Sequence, residues 1–194
     1  MKTETKLGDA PVLFVGDDVA LDFINTAYGV GEEWHDHFVS DASVVDWLER
    51  AGVLRDEHGQ AAHEGLLEMA RELRDAARQL VEQRQAGKWG SPALVNRILG
   101  LGSHHIELQW ENGGEPLVVA RQANRHPAIV LLPVAEALAR LLAEADFGRV
   151  RKCGSDERTL LFCDHTKSRS RRWCSMAMCG NRTKVAAYRA RHSG

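Results

Sequence analysis

Residues 171–184 read Arg171-Arg172-Trp173-Cys174-Ser175-Met176-Ala177-Met178-Cys179-Gly180-Asn181-Arg182-Thr183-Lys184. Two of the chain's four cysteines stand here, four residues apart, with basic residues on both sides. The other two, Cys153 and Cys163, lie just upstream, and no cysteine precedes position 153. Every thiol of the chain thus falls in one 27-residue window. Random placement rarely does this, so the window calls for a physical cause.

Charge divides the chain at the same place. Residues 151–194 hold eleven Lys or Arg against three Asp or Glu, a net +8, and residues 1–150 carry a net −10. A split this sharp points to two units with different partners. With 194 residues, 44% hydrophobic, the chain can bury one sizeable core and carry a small appended module. No run of 18 apolar residues is present, which argues against a membrane span. The amino terminus, Met1 to Lys6, lacks the apolar stretch of a signal peptide. A cytoplasmic, reducing setting is the expectation, and clustered thiols there favour a metal over disulfides.

The spacing Cys153-x9-Cys163-x10-Cys174-x4-Cys179 offers four thiolates to a tetrahedral zinc. The last 44 residues hold too few large apolar side chains for a core of their own, and a metal is the usual staple at this size. Structural zinc contributes on the order of 10–16 kcal/mol in small modules. The alternatives are four buried free thiols, or a Cys174/Cys179 disulfide switch, which the absence of a Cys-x-x-Cys spacing disfavours. Thr159–Cys163 is strand-prone, with Arg172–Cys174 able to pair back onto it, and 176–191 favours helix. Lys184 and Arg191 lie on one line of that helix and Arg182 and Arg189 on the next, while Arg169, Arg171 and Arg172 add charge from the loop. Arginine forks pair with phosphate oxygens, so DNA is the partner this surface suits.

Upstream, apolar residues recur at helical spacing over 19–28, 43–51, 61–86, 92–100 and 127–146. Asp17 or Asp18 is placed to cap the first of these, Asp41 the second, and Ser91-Pro92 opens the fourth. Residues 11–16 suggest a brief strand, and alternation around Asn112-Gly113-Gly114 gives a β-hairpin over 105–122. His35-Asp36-His37 could hold a metal, but no further ligand lies nearby and a solvated loop is the better reading. Arg71, Arg74 and Arg78 on the long helix read as a solvated face with Glu/Arg pairing. The fold class is therefore α+β: a mainly helical domain with one hairpin over 1–149, then a zinc-stapled ββα-like module over 150–194. The near-absent linker implies restricted geometry between them.

Cys179-Gly180-Asn181-Arg182, preceded by Arg171-Arg172-Trp173-Cys174-Ser175-Met176, resembles the signature of the bacterial CGNR zinc-finger proteins. Leu161-Phe162-Cys163-Asp164 resembles that family's Phe-x-Asp segment. Ala20-Leu21-Asp22-Phe23-Ile24-Asn25-Thr26 resembles the start of the ABATE domain that usually precedes this finger. The resemblance covers essentially the whole chain. It implies a stress-induced transcription regulator, with a DNA-binding finger and a sensor domain for an unidentified small-molecule or protein signal. It carries over Cys153, Cys174 and Cys179 as zinc ligands, and Asp22 and Asn25 as sensor-pocket residues. Capping and core hydrogen bonding are an equal reading of that last pair. Relatives carry a further cysteine about five residues after the first, where this chain has Arg158. Cys163 is the favoured replacement; His165, Asp164, water or no ligand are the alternatives. A second reading is a protein-interaction module, a homodimer formed by basic finger against acidic domain. An enzyme is the weakest reading, because a four-cysteine site is closed to substrate; a three-ligand zinc would reopen that question.

Overall fold

The computed structural model describes residues 11–54, 64–102, 104–109, 117–122, 126–155 and 159–181, with single positions at 185 and 192. The first helix, α1 (Val19–Ile24), starts on Asp18, whose carboxylate accepts from the amides of Ala20 at 2.8 Å and Leu21 at 3.3 Å. Two short strands, β1 (Ala27–Tyr28) and β2 (His35–Asp36), pair antiparallel after it. Helix α2 (Asp41–Arg50) begins at a capping box formed by Ser40 and Ser43. Asp41, the expected cap, serves another helix: its carboxylate accepts from the amides of Gly65 and Leu67 at the start of α3 (Leu66–Gln85). Gly65 has no side chain to do this, so the acid comes from across the fold.

Helix α4 (Ala93–Gly100) follows Pro92. The expected hairpin is present as β3 (His104–Gln109) and β4 (Leu117–Gln122), in register from His104 opposite Gln122 to Gln109 opposite Leu117. Its turn lies outside the described residues. A 3-10 turn over Pro127–Leu131 leads into α5 (Leu132–Glu144), with Pro133 in the first turn, where its missing N–H costs nothing. The stripes read from the sequence, Leu66, Ala70, Leu73, Ala77 and Leu80 on α3 and Val134, Leu138 and Leu141 on α5, are buried together with Phe23, Ile24 and Trp47. Residues 11–16 form no ladder strand. Among the described residues no helix is long and apolar enough to cross a membrane.

The arginines of α3 turn inward rather than to solvent. Arg74 is buried and forks onto Asp36 at 2.6 and 2.7 Å. Arg71 donates to the Phe38 carbonyl, and Arg78 donates to the carbonyls of Ile24, Ala27 and Thr159. His35-Asp36-His37 is consequently no metal loop: its carboxylate is consumed by Arg74.

The chain ends in β5 (Val150–Lys152) and β6 (Leu161–Cys163), an antiparallel pair with Val150 opposite Cys163. This pair joins the helices. Asn25, at the C-terminal cap of α1, donates from its side-chain nitrogen to the Leu161 carbonyl and accepts from the Leu161 amide, both at 2.8 Å. Gln85 donates to the Val150 carbonyl, and Val150, Leu161 and Cys163 enter the same core as α1, α3 and α5. The class is α+β, as the sequence implies.

Asn25→Ala leaves the Leu161 amide and carbonyl buried without partners, and each such group costs about 1–3 kcal/mol. The expected loss in urea unfolding is about 2–4 kcal/mol; a loss below about 0.5 kcal/mol would show that the bridge is dispensable.

Candidate metal centre

Cys153 directly follows β5, and its amide extends the ladder to the Leu160 carbonyl at 2.8 Å. The next residue, Gly154, donates to the Arg172 carbonyl at 2.9 Å. A Cβ on Gly154 would stand 3.0 Å from Cγ of Arg172, so the close pass of these two segments favours glycine. That pass delivers Cys174 to Cys153, and the Cys174 amide points at the Cys153 sulfur at 3.5 Å.

Cys179 returns to the same point by a single wide turn, Met176–Gly180. Ser175 caps it, accepting from the Met178 amide with its hydroxyl and from the Cys179 and Gly180 amides with its carbonyl. Gly180 is again constrained: a Cβ there would lie 2.6 Å from the Met176 sulfur. The sulfurs of Cys174 and Cys179 are 3.5 Å apart, and one sulfur from each of Cys153, Cys174 and Cys179 lies within 4.8 Å of the others. All three cysteines are buried, among Leu13, Tyr28, Leu160 and Phe162. Three soft donors converging in a dry pocket fit zinc, and these three residues would hold it. The Cys174 thiol, hydrogen-bonded to Cys153, holds the Cys153 thiol well below the usual thiol range.

Cys163 does not join them. A strand alternates its faces with period two. On β6 and its approach, Leu160 and Phe162 line the cysteine cluster, while Leu161 and Cys163 face the helical core. Burial pushes the Cys163 thiol up, the opposite direction from Cys153. His165 is exposed, and Asp164 is committed elsewhere. One Asp164 oxygen accepts from the Thr166 hydroxyl at 2.6 Å and amide at 2.9 Å, and the other accepts from the Arg171 amide at 2.9 Å. The Thr166 hydroxyl, with these amides, holds the Asp164 carboxyl down at about 2. Asp164 thus shapes the loop that carries the chain back to Cys174.

The candidate DNA-contacting residues separate. Arg171 is inward: it pairs with Asp17, donates to the Trp173 and Cys174 carbonyls, and lies over the Phe162 ring. Arg172 is exposed and stacked on Trp173, and Arg169 is exposed with a 3.1 Å ion pair to Asp146. Arg182, Lys184, Arg189 and Arg191 lie outside the described residues, as does Arg158.

Asp22 and Asn25, the candidate sensor residues, both serve β6. Asn25 holds Leu161 directly. Asp22 accepts from the amides of Val15 and Gly16 at 2.8 and 2.7 Å, and the Gly16 carbonyl accepts from the Cys163 amide at 2.8 Å. Their spacing of three puts them on one face of α1. That face is the socket for the strand behind the cysteines. Sequence reasoning missed Gly154, whose signal was a repeated Cys-Gly pair at 153–154 and 179–180, and named Asp164 only as an alternative ligand.

Residues 17–145 match the ABATE family model, described as "Putative stress-induced transcription regulator", and residues 149–192 match the CGNR zinc finger. The chain belongs to the ABATE family and carries a CGNR zinc finger behind that domain. No curated protein matches it.

Burial, aided by the neighbouring Asp17 and Asp18 and opposed by the two amide bonds, raises the Asp22 carboxyl from 3.8 to about 6. Below 3.8 both folded and unfolded chains hold this proton; as pH rises through about 6 the folded carboxylate ionises against its burial and stability falls. Asp164, held low, acts with the opposite sign and only below its unfolded value of 3.8. Urea unfolding between pH 4 and 7 should therefore show a decline with rising pH that is shallower in Asp22→Asn. Equal slopes would contradict this assignment.

Proposed function

We propose that the chain is a DNA-binding transcription regulator whose zinc-held C-terminal segment meets the phosphate backbone while the helical domain receives the signal. The observation that carries the reading is the seating of the cysteine cluster on α1 through Asn25 and the Asp22-held loop. A change in the helices then has a direct route to the metal-held segment. The exposed Arg169 and Arg172 flank the cluster, and the basic residues from Arg182 onward continue the same charge along the chain. In this division the domain partition falls near residue 150. Zinc would fix the loops that carry these arginines. The role is one of binding rather than catalysis, and nothing in it requires a membrane or a compartment other than the cytoplasm.

One observation favours a second reading, self-association. On the β3–β4 hairpin, Ile106, Leu108 and Val118 share a face and are 70%, 60% and 71% exposed. A two-stranded hairpin with an uncovered apolar face is marginal in water, so a second copy would stabilise it.

Fluorescence anisotropy with duplex DNA over a salt series tests the first reading. Affinity should fall steeply with salt, and Arg172→Ala should reduce the log–log slope by about 0.9 if Arg172 neutralises one phosphate. Absence of binding at low salt, or an unchanged slope in a combined Arg169→Ala/Arg172→Ala variant, would overturn it. Concentration-dependent dimerisation lost in Leu108→Lys would favour self-association.

A further inference from the structure

The three converging thiols stand in an apolar lining, and that combination selects for more than zinc. Divalent zinc bound by Cys153, Cys174 and Cys179 alone leaves one net negative charge among Leu13, Leu160 and Phe162. Burying a charge in such surroundings is costly unless a counter-charge meets it. The Arg171 guanidinium, which reaches the Cys174 carbonyl, is already paired with Asp17. The fourth thiol of the chain is turned to the opposite face of β6. A trivalent centre with three thiolates is neutral, needs no fourth ligand, and keeps its lone pair in the remaining direction.

We propose that the Cys153/Cys174/Cys179 site binds trivalent arsenic, taken up as arsenite, in competition with zinc. This rests on the metal-centre reading and adds, at the centre itself, an input separate from the one the helical domain receives. The step balances without an oxidant. Arsenous acid meets three thiols, three As–O bonds break and three As–S bonds form. The thiol protons leave with the departing hydroxides as three waters, and arsenic remains trivalent throughout. When zinc is the starting occupant, it is released as the divalent ion, and the three departing hydroxides take their protons from solvent because the exchanged thiolates carry none. Burial of the trio then protects the As–S bonds from hydrolysis, as it would protect the zinc thiolates. Cys163, packed in the helical core, takes no part.

Zinc-loaded full-length protein, kept reduced by a phosphine rather than a thiol, is titrated with arsenite. Released zinc is read with a chromophoric chelator, and bound arsenic by elemental analysis after desalting. One zinc should leave and one arsenic should bind per chain, and Cys163→Ser should behave as the wild type. Cys174→Ser should weaken arsenic uptake by about tenfold or more. Circular dichroism establishes whether that variant remains folded. Zinc retained under excess arsenite overturns the proposal, as does arsenic uptake that needs Cys163. A chain that takes up no zinc fails the metal-centre reading instead; arsenic held by the same three cysteines in that chain would still support this proposal.

Discussion

The Asn25 side-chain amide fixes the face that β6 presents, and the cysteine centre depends on that face. A strand three residues long has little to set its register alone. By satisfying both the amide and the carbonyl of Leu161, Asn25 settles it. Phe162 is then aimed at Cys153, Cys174 and Cys179, and Cys163 is aimed at the helices. The Asp22-held loop secures Cys163 through the Gly16 carbonyl, and Arg78 secures the Thr159 carbonyl just upstream. Three side chains from the helical domain therefore position one short strand. The cysteine segment rests on the acidic domain as part of one packed body rather than hanging from it.

Charge is used inside this body as well as on it. Arg74 is buried with Asp36, Arg78 ties three carbonyls, and Arg171 closes the loop between Asp17 and Cys174. Arg149 and Arg151 hold the 164–171 loop through its carbonyls. A share of the net positive charge in the last 44 residues is thus spent on shaping the cysteine loops. What remains for a polyanion is carried by exposed positions such as Arg172. Guanidinium suits this internal work because its several donors reach separate carbonyls from one rigid plane.

The helices were legible from their apolar spacing, because a stripe of Leu and Ala with a 3.6-residue period has one good burial. Their starts were less legible. Asp41 adjoins α2 in sequence but serves α3, a contact formed only after the two helices meet. The arginine face of α3 misled for the same reason: a helix packed on several sides buries positions that an isolated amphipathic helix would expose. At the metal centre, Cys174 and Cys179 were readable from local spacing, and Cys153 from the same cluster and from the family pattern. Cys163 was not, since composition marks it as a ligand and only the pairing of β6 with Asn25 assigns its face. Asp22 and Asn25 were singled out on resemblance. Their work as the socket for β6 required partners as far as 136 residues away.

Three sulfurs, not four, is the central statement, and X-ray absorption at the zinc edge of the full-length protein measures it directly. Three sulfur neighbours at about 2.3 Å and one lighter oxygen or nitrogen neighbour at about 2.0–2.2 Å are expected. A shell fitted by four sulfurs, collapsing to three in Cys163→Ser, would contradict it.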